Sequence, residues 1–598
     1  MLNIGRMGAG SQRYYLDHVA RSVDDYYLGR GEAPGRWCGS GLDGVGLAAG
    51  ATVTSDQLGA VLVGDHPTSG VRLSAHPARK VPGFDLTFRA PKSVSLLWAL
   101  GDQHTLEQSE AAHHAAVDAA VGYLERVAAR SRRGAAGVET VTVDGLVAAA
   151  FDHRTSRDGD PLLHTHVLVA NLARTSDDGR WRTIDSRRLY AHARTAGAVY
   201  QSVLRRELTE RLGVGWGPVS QSTADLAGVP REWVEGFSKR RAAIVAEMDR
   251  RGESSAAAAQ VATLDTRQAK QVQPDTATLR QRWVAEAEQL GIPAGWHRRL
   301  LHRTVPTDLD IERLYRQLVT DEGLTRDRSV FAARDLVRAV ADAAPDGATP
   351  GQLGAAVRTL LARGERDGLL VDLSDDLGRR WTTTGLWDLE WTAVANAVTD
   401  TDRGLAVVDH DTLDRTLAGR PSLSDEQTAM VGAITASGRG VEIVIGRAGT
   451  GKTYALDAAR HAWQQAGFQV TGATLAARAA LELEESAGIH TDTIASLLGQ
   501  LERPDRRPWQ PSRHVLIVDE AAMVGTRQLA ALLDHARQQA VKVVLVGDSG
   551  QLPAIQAGGL FTALTAELHT AELTINRRQH NPWEIDALDR LRHGDATT

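Results

Sequence analysis

His153-Arg-Thr-Ser-Arg-Asp-Gly-Asp-Pro-Leu-Leu-His-Thr-His166 is the stretch from which the amino-terminal fold can be read. His164 and His166 lie two residues apart, which puts both imidazoles on one face of a β-strand. Residues 138–152 and 163–171 read as two strands, and the polar run 154–160 reads as the turn between them. Such a hairpin returns His153 to the face that carries the other two histidines. Three neutral imidazoles leave coordination positions open to water or to a substrate oxygen, as a catalytic metal site requires.

Phe84-Asp-Leu-Thr-Phe88 alternates as a strand, and Ala90-Pro91-Lys92-Ser93 reads as a break. Residues 108–130 have the apolar spacing of a long amphipathic helix. Strands and helices mixed in this way, without a phosphate-loop signature, predict an α+β domain. Nearer the start, Tyr14-Tyr15 and Tyr26-Tyr27 hold four of the nine tyrosines of the chain. A phenolate can attack phosphorus and form a covalent ester, splitting one displacement into two reversible steps. With an unperturbed pKa near 10, the phenol needs a base or a nearby cation. Asp85 is placed to be that base, or to orient a metal-bound histidine from behind.

The bulk composition narrows the classes. The chain has 598 residues, 42% hydrophobic and 24% charged, with a formal net charge of −6. That length predicts several domains. The net negative charge means that any nucleic-acid contact rests on local basic clusters: Arg126, Arg130, Arg132 and Arg133; Lys239, Arg240 and Arg241; Arg298, Arg299 and Arg303. Cys38 is the single cysteine, which excludes an internal disulfide and a cysteine-based zinc site. No segment reads as a signal peptide or as an apolar membrane span, so no membrane insertion is expected and a reducing cytoplasm fits.

The two tyrosine pairs, Gly83-Phe-Asp-Leu-Thr-Phe-Arg-Ala-Pro-Lys-Ser-Val-Ser95 and the His153 to His166 stretch together resemble the TrwC/TraI (MobF) conjugative relaxases. The resemblance covers about residues 1–300 and implies the His-hydrophobe-His relaxase fold, an antiparallel sheet with helices. It implies that Tyr14 makes the first strand cut at a plasmid transfer origin and Tyr26 the second transesterification. The gap between the tyrosine pairs is wider than in the best-known members, which leaves Tyr26 or Tyr27 as the second nucleophile. By the same resemblance His153, His164 and His166 hold a divalent cation (Mg2+ or Mn2+, with Zn2+ as the alternative), and Asp85 supports proton transfer from the tyrosine. The implied partners are single-stranded DNA and the transfer-origin hairpin, accessory origin-binding proteins and the coupling protein of a type IV secretion channel. Family members are exported with the transferred strand.

A second motif lies far from the first. Val441-Glu-Ile-Val-Ile445 reads as a buried strand, followed at once by Gly446-Arg-Ala-Gly-Thr-Gly451-Lys452-Thr453. In such a loop the backbone at Gly446, Gly449 and Gly451 cradles phosphates, Lys452 pairs the β- and γ-oxygens, and Thr453 binds magnesium. Asp519 and Glu520, after the apolar run Val515-Leu-Ile-Val518, suit the magnesium site and the attacking water. Gln551 follows a third such run and can sense the γ-phosphate. With Glu426-Gln427 before the loop and Arg577-Arg578 after it, these segments resemble superfamily-1 helicases of the RecD-like branch. The resemblance implies that Gln427 contacts adenine, that Arg578 reaches the γ-phosphate, that ATP with Mg2+ is the cofactor, and that movement on DNA runs 5′ to 3′. Gly472-Ala-Thr-Leu-Ala-Ala-Arg478 and His490-Thr-Asp-Thr-Ile494 match that branch's strand-contact motifs.

The expected organisation is therefore a relaxase domain at 1–300, a helical, winged-helix-like module at 301–415, and an α/β RecA-like first helicase lobe at 416–598. Within the middle module, two helical stretches over 349–367 and a hairpin at 369–372 and 379–383 are expected. The later motifs of a second lobe do not appear before Thr598. The chain is thus expected to be a fragment that nicks DNA without unwinding duplex. The alternatives are a rolling-circle replication initiator and a DNA-processing helicase with a DNA-binding amino-terminal domain.

Overall fold

The computed structural model describes residues 2–8, 34–73, 80–156, 158–252, 255, 276–304, 308–375, 378–447, 449–503, 508–548 and, discontinuously, 550–590. Tyr14, Tyr15, Tyr26, Tyr27, Gln551 and Arg578 lie outside the described residues. The chain forms two compact units, residues 1–314 with 333–360, and residues 315–332 with 361–598.

The first unit is built on a five-stranded antiparallel sheet. Its strands are β1 (Leu2–Arg6), β2 (Arg36–Cys38), β3 (Gly83–Arg89), β4 (Ala148–Thr155) and β5 (Pro161–Ala170), in the order β1-β3-β5-β4-β2. β5 lies at the centre, between β3 and β4. Side chains alternate across it, and the two faces meet different neighbours. On one face Ala149, Phe151, Leu168 and Ala170 pack with Leu42, Val45 and the buried side of α1 (Ser55–Val63). On the other face lie α2 (Lys92–Leu100), α3 (Gln103–Val127) and α4 (Ser186–Leu212). Phe88 packs against Tyr200 of α4 with ring centroids 5.4 Å apart.

Three expectations need correcting here. The long helix ends at Val127, because Arg130–Arg133 pairs with Glu139–Thr142 as a separate two-stranded sheet. The predicted strand over 138–152 is accordingly two strands in two different sheets. Further, Ala90-Pro91 is the break, and Lys92 already begins a helix. Proline at the N-cap ends the strand without costing that helix a hydrogen bond.

The second unit contains a six-stranded parallel sheet. Its strands are β6 (Val441–Gly446), β7 (Gln469–Thr474), β8 (His490–Thr493), β9 (His514–Val518), β10 (Lys542–Gly547) and β11 (Thr570–Leu573), in the order β8-β7-β9-β10-β6-β11. Ile443 joins the hydrophobic cluster on one face and Val444 the cluster on the other. Burial on both faces is why these strands read as unbroken apolar runs. The helix Asp425–Ala436, α5, starts with a full capping box between Ser424 and Gln427.

In the middle of the chain the helices Ala333–Ala343 and Pro350–Arg366 precede a hairpin of Leu370–Asp372 with Arg380–Thr383. Residues 350–366 form one helix of 17 residues where two were expected. Phe331–Ala332 adds a third strand to the hairpin.

Candidate functional site

Strand register assembles the histidine site. His153 on β4 pairs directly with His164 on β5, and His166 pairs with Phe151 on one side and Thr87 on the other. Cross-strand partners share a face, so the three imidazoles converge where the apolar part of that face ends. Ring centroids are 5.3 Å apart for His153–His164, 5.0 Å for His153–His166 and 5.3 Å for His164–His166. One ring nitrogen from each lies within 4.8 Å of the others, the only such grouping of potential metal-binding side chains among the described residues.

Two of the rings are oriented by a second hydrogen bond. His164 Nδ1 lies 2.9 Å from the carbonyl of Leu162. A carbonyl can only accept, so Nδ1 carries the proton and Nε2 keeps its lone pair. His166 Nδ1 lies 2.9 Å from both oxygens of Asp85, whose carboxylate likewise accepts. Thr87 Oγ1 closes the group at 3.3 Å from Asp85 and 3.2 Å from His166. Burial and the proximity of His153 and His166 hold the His164 imidazole well below its ordinary pKa, so it stays neutral and able to bind a metal. This donor set fits a divalent transition ion. A trio of imidazole nitrogens suits Zn2+ better than Mg2+, which prefers oxygen ligands.

Sequence reasoning missed the supports of this site. The start of β5 is gripped by the segment leading into α2. Ala90 N–H donates to Leu163 O at 3.0 Å, Leu163 N–H donates to Ser95 Oγ at 3.1 Å, and Lys92 Nζ donates to Pro161 O at 2.7 Å. Ser93 Oγ donates to Asp225 at 2.6 Å and accepts from Leu226 N–H at 3.0 Å. The Ala-Pro-Lys-Ser-Val-Ser segment therefore holds the strand just ahead of His164. Burial brings the Lys92 amine down to about 8, against the opposing charge of Asp160.

Behind the sheet, Thr165 and Asp152 project to the helical face. Thr165 Oγ1 donates to Asp152 at 2.5 Å and receives His113 Nε2–H at 2.8 Å. His113 Nδ1 in turn accepts from Tyr200 OH at 2.8 Å, and His114 bonds the other Asp152 oxygen at 2.9 Å. The chain of donors runs one way because the Asp152 carboxylate at its end only accepts. Among the basic clusters, Arg133 is held by Glu139 and Asp177, and Lys239 by Glu286 and Asp160.

The phosphate-loop residues lie at the carboxyl ends of the parallel strands, where ligands of such sheets bind. β6 runs into the loop, which opens the helix α6 (Lys452–Gln465). Gly449 and Gly451 have φ of +82° and +76°, a region that favours glycine. A β-carbon at Gly446 would come within 2.5 Å of the Lys452 side chain. Lys452 Nζ donates to Gly446 O at 3.1 Å and lies 3.8 Å from Glu520. Asp519 and Glu520 follow β9, and burial raises both carboxyls against the opposing pull of Lys452.

Gln427 is 1% exposed, and both ends of its amide are engaged. Its oxygen accepts from Ser424 N–H, and its Nε2 donates to Thr450 O at 3.2 Å and Gly451 O at 3.3 Å. Its neighbour Glu426 accepts from Thr574 Oγ1 at 2.6 Å and from Ile575 N–H at 3.2 Å. Arg577 N–H then donates to Gly449 O at 2.7 Å. The Glu426-Gln427 pair thus ties the loop and the segment after β11 to α5. Arg478, of the expected strand-contact motif, has a side chain that is 91% exposed.

Comparison with known proteins matches two separate parts of the chain. Residues 8–290 match the family model described as TrwC relaxase, and residues 422–598 match an AAA domain. The conjugal transfer protein TraA of Rhizobium radiobacter is 35% identical over 277 residues, which are 46% of this chain and 25% of TraA. Over 181 residues, 30% of this chain and 25% of the relative, the ATP-dependent RecD2 DNA helicase of Deinococcus radiodurans is 33% identical. A solved structure of the conjugative relaxase TrwC in complex with oriT DNA is 31% identical, with a TM-score of 0.44, covering 49% of this chain and 100% of that one. The matched part of this chain thus spans about a quarter of the length of the curated relatives.

Proposed function

The amino-terminal half of this chain belongs to the TrwC relaxase family, and from that premise we propose that the protein is a site- and strand-specific DNA transesterase joined to a helicase lobe. The observation that carries the reading is the convergence of His153, His164 and His166, with Asp85 fixing the His166 ring. In this reading the Tyr14 oxygen attacks the scissile phosphorus. The bond from phosphorus to tyrosine forms as the bond from phosphorus to the 3′-oxygen breaks, leaving a 5′-phosphotyrosyl end and a free 3′-hydroxyl. One phosphodiester replaces another, so no ATP is consumed and the step can reverse.

A divalent cation held by the three imidazoles would stabilise the charge that builds on a non-bridging phosphate oxygen. With their Nδ1 protons held by Leu162 O and Asp85, His164 and His166 would offer Nε2 to it. The Asp85 carboxylate keeps lone pairs beyond the bond to His166 and so can receive the phenol proton. Tyr26 is assigned the second transesterification that closes transfer.

In the carboxyl-terminal lobe, Lys452, Thr453, Asp519 and Glu520 are assigned to ATP with Mg2+, together with Gln551 and Arg578. Gln427 grips the loop from α5, and contact with adenine requires that grip to open. Single-stranded transfer-origin DNA, accessory origin-binding proteins and a secretion coupling protein are the partners of this reading. No described helix is long and apolar enough to cross a membrane.

The test is to incubate the purified chain with Mn2+ and labelled single-stranded oligonucleotides tiling the candidate transfer origin of its own replicon. A covalent protein–DNA adduct is expected, absent in Tyr14→Phe and reduced at least about a hundredfold in His164→Ala. No adduct on any tile would sink the reading.

A further inference from the structure

Arg89 closes β3 as the direct cross-strand partner of His164. Partners of this kind project from the same face, so the Arg89 side chain stands on the face of the three histidines. It is exposed, while its backbone is fixed on both sides. Gln201 Nε2 donates to Arg89 O at 3.1 Å, and Ala90 N–H to Leu163 O at 3.0 Å. A permanent cation beside a cation site is a repulsive neighbour. An anion between the two charges turns that repulsion into a clamp.

We propose that Arg89 is a further catalytic residue, binding the non-bridging oxygens of the scissile phosphate beside the three histidines. The inference rests on the transesterase reading above. A planar guanidinium offers two parallel N–H donors that match phosphate geometry. As the tyrosine–phosphorus bond forms and the bond to the 3′-oxygen breaks, negative charge grows on those oxygens, and Arg89 meets it where it grows. The residue stays protonated throughout. The phenol proton leaves to Asp85, and solvent water supplies the proton that the departing 3′-oxygen takes up. Arg89 therefore contributes charge and geometry, and no proton.

The experiment uses the full chain, an oligonucleotide spanning the nick region, and Mn2+. Single-turnover adduct formation is followed for the wild type, Arg89→Gln and Arg89→Lys, with Mn2+ affinity measured alongside by electron paramagnetic resonance. Arg89→Gln should lower the rate by about a hundredfold, and Arg89→Lys should fall between the two. Mn2+ affinity in Arg89→Gln should hold or tighten, because a like charge has been removed. An unchanged rate overturns the inference and leaves the transesterase reading standing. A tenfold loss of Mn2+ affinity also overturns it, since that would make Arg89 a support of the metal site. Failure of the wild type to form any adduct removes the transesterase reading and this inference with it.

Discussion

The histidine site and the phosphate loop are positioned by different physics. In the first, every donor sits on a strand paired on both sides, and antiparallel register sets the distances. Two of the rings are then locked by a second hydrogen bond, to Leu162 O and to Asp85. In the second, the donors come from loops where parallel strands end, and glycines with positive φ allow the turn. There the polar side chains bond to the loop itself: Lys452 to Gly446 O, Gln427 to Thr450 O and Gly451 O. A site that exchanges one phosphodiester for another benefits from groups that do not move. A site that cycles through nucleotide states needs partners that can be traded.

The widest contrast is between Lys452→Ala and Tyr14→Phe. Lys452→Ala removes the ammonium expected on the β- and γ-phosphates, so nucleotide affinity should fall by at least about a hundredfold, in line with loss of a charge-assisted phosphate contact. Adduct formation should be unchanged. Tyr14→Phe should show the reverse pattern. Equilibrium binding of a fluorescent ATP analogue, measured beside the nicking assay, checks both. Loss of nicking in Lys452→Ala would end the case for two independent centres.

Asp85→Asn probes the rigid side of the comparison. The amide keeps the size and can still accept from His166 Nδ1, but it brings no charge. Loss of such an outer partner typically costs about 10- to 100-fold in metal affinity. Mn2+ titration followed by electron paramagnetic resonance gives the number. Unchanged affinity would mean that strand register alone orients His166.

How far these sites could be read from sequence follows from the same contrast. The histidines were legible because a spacing of two on a strand and a hairpin return are local facts. Asp85 was legible from its place in an alternating strand. Glycines and a lysine in a fixed loop, after an apolar run, were legible for the same reason. The supports were not. Ser95 reaches Leu163 across 68 positions, and Tyr200 reaches His113 across 87. Each sits in a helix whose apolar spacing gives no hint of a polar partner. The helix carried too far, to residue 130, shows the same limit. Arg130 suits a helix by propensity, but pairing with Thr142 in a second strand prevails. The single helix Pro350–Arg366 keeps Gly351, Gly354 and Gly364 inside it. Gly364 lies close against Leu370 and Val319, so there tight packing offsets a weak helix former.

Ser95→Ala tests whether the grip on β5 matters. It leaves the Leu163 N–H, inside the sheet, without its acceptor. An unsatisfied buried amide costs about 1–3 kcal/mol. Chemical denaturation of the first unit, followed by a probe confined to it, should report that loss. A smaller effect, below the error of the measurement, would assign the grip to Ala90 and Lys92 alone.

The last expected effect lies behind the sheet and appears only as pH falls. Burial pushes the His113 imidazole down to about 3, from an ordinary value near 6.5. Above pH 6.5 the ring is neutral in both the folded and the unfolded chain, so His113 contributes no pH dependence. Below that value the unfolded chain takes up a proton that the folded chain refuses. Stability is therefore lost as pH falls, by about 1.4 kcal/mol per unit from this one group. His114 pulls the other way, because its bond to Asp152 raises its pKa against the cost of burial. The informative quantity is thus the difference between the wild type and His113→Gln. The glutamine amide can donate to Thr165 and accept from Tyr200 without a proton to gain. Between pH 6.5 and 5 the wild type should lose about 2 kcal/mol relative to the variant. Parallel curves would mean that the ring leaves its pocket before it protonates, and that the layer beneath the histidines is looser than the layer above.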